Sequence, residues 1–245
     1  MNRDDFRKLF STDNPVVTPV IHVLDNEQTD RNVRSAIDGG CQGVFLINHD
    51  FEYQHLLPII EHVRDVFPDL WMGVNFLAIT GKEAFPELGK LSEAGTVVNA
   101  YWADDARIDE HRAANEQIEA EEILSIKASC GWNGMYFGGT AFKKQREVAK
   151  KDFGKSAEVA CEYMDVVTTS GVATGSAADK TKIKTFRKAC GDKPLALASG
   201  ITPENAGEYS KHVDCFMVAT GINFKDDFYN IDPQRLRQLI KKLEV

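Results

Sequence analysis

Two kinds of segment alternate along the chain. Short, nearly continuous apolar runs at 16–24, 43–48, 70–77, 96–102, 135–139, 165–171, 194–200 and 215–222 are separated by stretches whose apolar residues recur at intervals of three and four. Such a run fits a parallel strand buried on both faces, and the interposed helices supply the crossovers that parallel strands require. Helices are expected at 29–38, ending at Gly39-Gly40, and at 56–66, 82–94, 114–128 and 155–163. The last helix carries Leu236, Leu239, Ile240 and Leu243, an i, i+3, i+4, i+7 stripe that faces a sheet. Thr202-Pro203 and Asp232-Pro233 each set a capping residue before a proline, so helices are expected to start there. Eight strand–helix units predict an α/β fold, a closed (β/α)8 or TIM barrel over 15–245 as a single domain, preceded by an arm or short helix at 1–14. An open doubly wound sheet is the alternative, and it needs the strand order to reverse.

Composition narrows the classes. With 43% hydrophobic residues in 245, the chain can bury a sizeable core. Lys and Arg total 29 against 37 Asp and Glu, a formal net charge of −8, which argues against nucleic acid as a partner. Cys41, Cys130, Cys161, Cys190 and Cys215 are scattered, with no C-x-x-C pair, and their odd number argues against a disulfide framework. A reducing cytoplasm is expected. The N-terminus is charged and no apolar run reaches about 18 residues, so neither a signal peptide nor a membrane span is expected.

In a barrel of this kind the active site is built from whatever follows each strand. His22 and Asp25 follow the first, Asn48, His49 and Asp50 the second, Asn75 the third, and Asn99, Tyr101 and Asp104 the fourth. Asn48, Asn75 and Asn99 suit a polar ligand, because an amide both donates and accepts; capping a helix or a loop is the competing role. Asp25, Asp50 and Asp104 with His22 and His49 are the candidates for proton transfer, each having a structural role as its alternative. The set His22, Asp25, His49 and Asp50 could instead gather a divalent metal, although it lacks the spacing of a zinc site; no cofactor is predicted. Lys143, after the fifth strand, is a candidate ligand contact or Schiff-base lysine, while its neighbours Lys144, Arg146, Lys150 and Lys151 read as a solvated basic face.

The last three strands end in hydroxyl residues and glycine. Ser170-Gly171, Ser199-Gly200 and Thr220-Gly221 are the candidates for holding a phosphate or similar anion on backbone N–H groups; the plain alternative is that these glycines turn the chain. The stretch Thr169-Ser-Gly-Val-Ala-Thr-Gly-Ser176 is long enough to fold over a ligand, and lacks the Gly-Lys-Ser/Thr of a nucleotide-binding P-loop.

Three of these runs carry a family likeness. Asp165-Val-Val-Thr-Thr-Ser-Gly-Val-Ala-Thr-Gly175, Leu195-Ala-Leu-Ala-Ser-Gly-Ile-Thr-Pro-Glu-Asn205 and Asp214-Cys-Phe-Met-Val-Ala-Thr-Gly221 resemble the BtpA/SgcQ family in wording and order. Val20-Ile-His-Val-Leu24 and Gly73-Val-Asn-Phe-Leu77 resemble its early strands. Ser199-Gly-Ile-Thr-Pro-Glu-Asn205 is also similar to the phosphate-binding strand of phosphoribosylanthranilate isomerases. The resemblance implies a TIM barrel. It also implies one of two roles, as the family includes a member tied to photosystem I biogenesis and others that look like sugar- or nucleoside-metabolising proteins. The chain departs from the family pattern at Asp25-Asn-Glu-Gln-Thr-Asp30 and at Gly138-Gly-Thr-Ala-Phe-Lys143, both at the expected mouth.

Three expectations follow. The first is an enzyme on a phosphorylated sugar, phosphoribosyl or nucleoside-type compound, acting by isomerisation, lyase chemistry or N-glycosidic cleavage. The second is a non-catalytic barrel that assists assembly or stability of a protein complex. The third is a Schiff-base aldolase at Lys143. A homo-oligomer is expected in each case.

Overall fold

The computed structural model describes residues 1–244 and has eight parallel strands in chain order, β1 to β8, with β1 pairing both β2 and β8 to close a barrel. The strands are β1 (Val16–Val23), β2 (Gly43–Asn48), β3 (Trp71–Asn75), β4 (Ala100–Ala103), β5 (Met135–Gly139), β6 (Val166–Ser170), β7 (Leu195–Ala198) and β8 (Cys215–Val218). Seven α-helices follow strands: α2 (Asn26–Asp38), α3 (Leu57–Val66), α4 (Gly81–Glu93), α5 (Ile118–Ser129), α6 (Phe153–Ala160), α7 (Lys180–Cys190) and α8 (Pro233–Leu243). The open-sheet alternative is thereby excluded. Among the described residues no helix is long and apolar enough to cross a membrane.

Two of the expected elements differ. After β7 the chain forms only a 3-10 turn, Ala206–Glu208, where Thr202-Pro203 led us to expect a helix. The Asn205 side chain accepts from the Thr202 N–H at 2.9 Å and donates to the Gly200 carbonyl at 2.8 Å, so a turn absorbs the capping signal and Gly207 does not extend it. Asp232 does cap α8, accepting from the backbone N–H of Gln234 and Arg235. The second difference is in β4, which begins at Ala100, four residues later than the apolar run from 96.

Side chains alternate across the barrel wall. Val20, Phe45, Trp102, Phe137, Ala196 and Met217 are among those packed together inside the barrel. Leu46, Val74, Tyr101, Tyr136 and Val167 belong to the layer between barrel and helices. The N-terminal segment is part of the first cluster. Helix α1 (Arg3–Leu9) is capped by Asn2, and Phe6 and Phe10, 0% and 2% exposed, contact Phe137 and Trp71 with ring centroids 6.1 and 5.1 Å apart. This aromatic plug lies at the end where the strands begin. Beneath it Asp214, fully buried, accepts from Arg3, Arg7 and Arg187 and from the Leu195 N–H. The polar residues of chemical interest are therefore left to the other end.

Candidate active site at the barrel mouth

The carboxyl ends of the strands surround a cavity lined by two sets of side chains. His22, His49, Asp104, Lys143 and Lys144 form one side; Thr174, Gly175, Ser199 and Thr220 form the other. Val20, Ile47, Trp102, Ala198 and Met217 form the apolar floor. The Trp102 indole N–H is buried and has no acceptor among the described residues.

Period-two alternation decides which strand residues reach the cavity. On β1 it is Val20 and His22; one strand over, Ile47 and His49 take the same inward parity. Asp104 follows Trp102 by two residues, past the end of β4. Asp104 is half-buried, and its carboxyl accepts one hydrogen bond, from Asn75 Nδ2 at 3.2 Å. Burial pushes its pKa up to about 6, opposed by the nearby Lys143 cation and by the Asn75 bond. Burial likewise pulls the Lys143 ammonium below the ordinary lysine range, with Asp104 acting in the opposite sense. Each thus acts on the other across a poorly solvated space, the lysine favouring the carboxylate and the carboxylate the ammonium.

The imidazoles are held by a segment the sequence did not single out. Between β8 and α8 the chain folds back on itself, with an antiparallel bridge between Asn223 and Ile231. This lays Phe228 on His22, ring centroids 3.8 Å apart, and brings the Phe228 carbonyl to 2.8 Å from His22 Nδ1. A carbonyl only accepts, so Nδ1 carries the proton and Nε2 is left with its lone pair. Burial, despite that hydrogen bond, lowers the His22 pKa to about 4, so the ring is neutral at pH 7. His49, with its ring centroid 4.7 Å from that of His22, is also lowered, chiefly by burial and then by Lys144. Gln28 and Asn32 both donate to the Tyr229 carbonyl, and the Tyr229 hydroxyl donates to Asp50 at 2.9 Å. Phe228 and Tyr229 sit in Asp227-Phe-Tyr-Asn230, an aromatic pair between turn-forming residues, and that was the available signal.

Several expected site residues are placed elsewhere. Asn99 lies at the opposite end of the barrel: its Oδ1 accepts from the Met72 N–H and from Arg64, because β4 starts one residue after it. Tyr101 points outward and is fully buried among Phe76, Phe85 and Tyr136, its hydroxyl donating to the Ile79 carbonyl. Asn48, also of outward parity, donates to the Phe51 carbonyl and accepts from the Leu77 N–H, which ties two loops together. Asp25 is the exposed N-cap of α2, bonded to the Gln28 N–H at 2.7 Å. Asp50 is exposed and engaged by Tyr229. His22, Asp25, His49 and Asp50 do not gather, and among the described residues no group of three or more His, Cys, Asp or Glu is placed to hold a metal ion.

The glycine ends divide in the same way. Ser199 and Thr220 line the cavity. Ser170 is buried, its Oγ accepting from the Lys143 N–H and donating to the Gly171 carbonyl. A Cβ on Gly171 or Gly200 would lie 2.3 or 2.1 Å from the Ser176 carbonyl oxygen, and one on Gly221 would lie 1.8 Å from that of Ile201. Close passage of neighbouring backbone therefore accounts for glycine at all three positions. Gly200 also has a φ of +70°, which a side chain would strain. Between β8 and α8 no helix forms, so any anion held here would rest on loop amides, hydroxyls and the Lys143 and Lys144 charges rather than on a helix N-terminus.

A closed parallel barrel with a polar, partly desolvated cavity at the carboxyl ends of its strands defines the class of protein. Within that class the chain belongs to the BtpA family, whose model matches residues 109–245. The early runs at 20–24 and 73–77 lie outside the matched region. The search of curated proteins gave no match. Among solved structures the chain is similar to phosphoribosyl anthranilate isomerase from Thermus thermophilus, at 14% identity and a TM-score of 0.59, over 93% of this chain and 98% of that one. It is similar to the tryptophan synthase alpha subunit from Legionella pneumophila, at 13% identity and a TM-score of 0.66, over 100% and 99%. A native KDPGal structure matches at 13% identity and 0.61, over 95% of each chain. At these identities the likeness is one of fold.

Proposed function

We propose that this barrel is an enzyme acting on a small phosphorylated ligand of sugar, phosphoribosyl or nucleoside type. The observation that carries the reading is Asp104: a half-buried carboxyl, raised to about 6, that lines the same cavity as Lys143 and two neutral imidazoles. A carboxyl so tuned takes up and returns a proton near neutral pH, as isomerisation, carbon–carbon cleavage or glycosidic cleavage requires. His22, with Nδ1–H committed to Phe228, offers Nε2 as an acceptor for a ligand hydroxyl. The anionic group is placed toward Ser199, Thr220 and Thr174, within reach of the field of Lys143 and Lys144. Phosphoribosyl anthranilate isomerase shares the barrel, which is consistent with this class of ligand.

Titrating the protein with ribose 5-phosphate, ribose and inorganic phosphate by calorimetry, and soaking crystals with the same compounds, tests the assignment. Ribose 5-phosphate is expected to bind more tightly than ribose, with density at the mouth and its phosphate beside Ser199 and Thr220. Density only outside the mouth at saturating ligand overturns it.

A second reading has its own observation. Lys143 is half-buried, partial burial destabilises its ammonium and the Asp104 carboxyl shares its cavity, which are the conditions for an amine nucleophile. Its free amine would attack a carbonyl carbon, and loss of water would leave an imine, with Asp104 carrying the protons. Borohydride reduction in the presence of phosphorylated ketoses or aldoses would then fix a secondary amine on Lys143, detectable as a mass increment on that peptide. No increment with any of them eliminates it.

A further inference from the structure

Behind the mouth lies a second lysine, fully buried, that the acid–base chemistry does not use. Lys182, in the first turn of α7, is 8% exposed, with Nζ 5.2 and 5.7 Å from the ring centroids of Phe153 and Phe186. Its Nζ donates to two main-chain carbonyls, those of Ser170 at 2.8 Å and of Ala141. Neither bond is part of a helix or a sheet, and among the described residues no carboxylate pairs with the ammonium. Asp179, the N-cap of α7, is the acidic group that faces it, and its side chain is engaged by the Thr181 N–H.

Both carbonyls belong to the frame that carries Lys143. From Thr140 the chain leaves β5 in an unusual path: Ala141 and Lys144 have φ of +45° and +59°, a region that strains a non-glycine residue. The path is held at three further points. Thr169 Oγ1 donates to the Thr140 carbonyl at 3.1 Å, Thr140 and Ser156 share a bond between hydroxyls at 2.6 Å, and Ser170 Oγ accepts the Lys143 N–H at 2.8 Å. Lys182 joins the two sides, one N–H on the strained residue and one on the residue that holds the Lys143 backbone.

We propose that Lys182 is a positioning residue: its ammonium clamps the ends of β5 and β6 together, and so holds the Lys143 amine in the desolvated mouth beside Asp104. The proposal rests on the reading of the mouth as a reactive site, but not on the identity of the substrate. A charged donor is suited to the task because each of its hydrogen bonds to a neutral carbonyl is stronger than one from a neutral group. An apolar residue in its place would remove the charged donor from both carbonyls and leave that of Ala141 with only the Thr169 hydroxyl, at 3.3 Å.

The test reads the amine itself. Competitive reductive methylation, followed by mass spectrometry of the Lys143 peptide over a pH series, gives the reactivity of Lys143 relative to exposed lysines such as Lys188, in wild type, Lys182→Met, Lys182→Gln and Ser170→Ala. In wild type Lys143 is expected to react as an amine that deprotonates below the others, with Asp104, Lys144 and the two histidines as its titrating neighbours. Release of its loop restores solvent, and each unit of upward shift lowers the free-amine fraction at pH 7 about tenfold. Lys182→Met and Ser170→Ala are expected to show that loss at Lys143 and not at Lys188.

Ser170→Ala changes no charge but keeps the Ser170 carbonyl that Lys182 binds, so a shift in it shows only that the Lys143 loop depends on the end of β6. Lys182→Gln, neutral yet still an N–H donor, is expected to keep the wild-type profile if the hydrogen bonds act and to shift like Lys182→Met if lost repulsion between two lysines does. Lys182→Gln also decides the matter if Lys182→Met fails to fold. A Lys143 profile unchanged in folded Lys182→Met, or shifted as far in Lys182→Gln, overturns the clamp. If the profile shifts while no phosphorylated ligand binds wild type at the mouth, the clamp stands and the proposed function falls.

Discussion

Asp214 and Asp104 lie at opposite ends of the same barrel, the first fully buried and the second half-buried, and their surroundings could hardly differ more. Asp214, at the base, is 0% exposed and receives three arginines and a main-chain N–H. Asp104, at the mouth, receives one amide N–H, and its nearest cation is a lysine that burial itself destabilises. A carboxylate whose lone pairs are filled by fixed charged donors has none left for a ligand. One that is half-buried and under-filled, its pKa pushed up to about 6, can take up and pass a proton near neutral pH. The base therefore joins α1, β8 and α7 into one body, whereas the mouth holds its charge ready.

The sharpest way to break this contrast is to remove each carboxylate in turn. Asp214→Ala leaves Arg3, Arg7 and Arg187 facing one another without their acceptor, and breaking a buried ion pair on one side costs about 3–5 kcal/mol. A loss of that size is expected in urea unfolding at pH 7. A loss under 1 kcal/mol would mean that the arginines find water instead, and the base would no longer differ in kind from the mouth.

Asp104→Asn is expected to act in the opposite direction and to depend on pH. The folded-state pKa of about 6 lies above the ordinary value of 3.8, so the folded protein holds the proton more tightly than the unfolded chain. Below pH 4 both states are protonated and the charge costs nothing. As pH rises through 4 to 6 the folded state loses stability, by about 3 kcal/mol for a shift of two units. Asparagine keeps the contact with Asn75 and cannot ionise, so its advantage over wild type should grow across pH 4 to 6 and then level off. The loss of the carboxylate facing Lys143 makes the 3 kcal/mol an upper value. His22 works against this slope in wild type: its folded pKa of about 4 lies below 6.5, so the stability it contributes is complete above pH 6.5 and is lost as pH falls toward 4. The wild-type profile is consequently flatter over this range than that of Asp104→Asn, which keeps only the histidine slope. Equal profiles for the two proteins would remove Asp104 from the role given to it.

What the sequence made legible follows from the same physics. Apolar runs and their glycine ends disclose a buried parallel strand wherever it occurs, so the eight units and the barrel could be counted, and Asp104 was visible as a carboxylate near the end of the fourth. Parity and strand starts were not legible. In the run from 96 to 102 nothing marks Ala100 as the first residue of β4, and that offset carries Asn99 to the base. Tyr101 and Trp102 are both large and aromatic, so composition does not tell which of them faces inward. The Phe228–Tyr229 segment depends on contacts with β1, β2 and α2, some 200 residues away in the chain, which no local pattern records. The glycines were visible, but their cause was not: the carbonyls of Ser176 and Ile201 occupy the space their side chains would need.

Asn99 and Asn75 repeat the comparison on a smaller scale, as two hydrogen-bonded amides one at each end, the first half-buried and the second buried. Asn99 accepts from the Met72 N–H and from Arg64, and Asn99→Ala would leave a main-chain donor of β3 unpaired, at a cost of about 1–3 kcal/mol. Asn75→Ala leaves only the Asp104 carboxyl short of its bond. That bond favours the ionised form, so its removal should move the Asp104 titration upward, away from its value of about 6, with a smaller change in stability at low pH, where the carboxyl is neutral. Carboxyl 13C shifts followed by NMR over pH 3–9, together with unfolding at pH 4 and pH 7, separate the two. A stability loss in Asn75→Ala that matches Asn99→Ala at both pH values, with the Asp104 titration unmoved, would make the two amides equivalent and leave the mouth without the electrostatic distinction that sets it apart from the base.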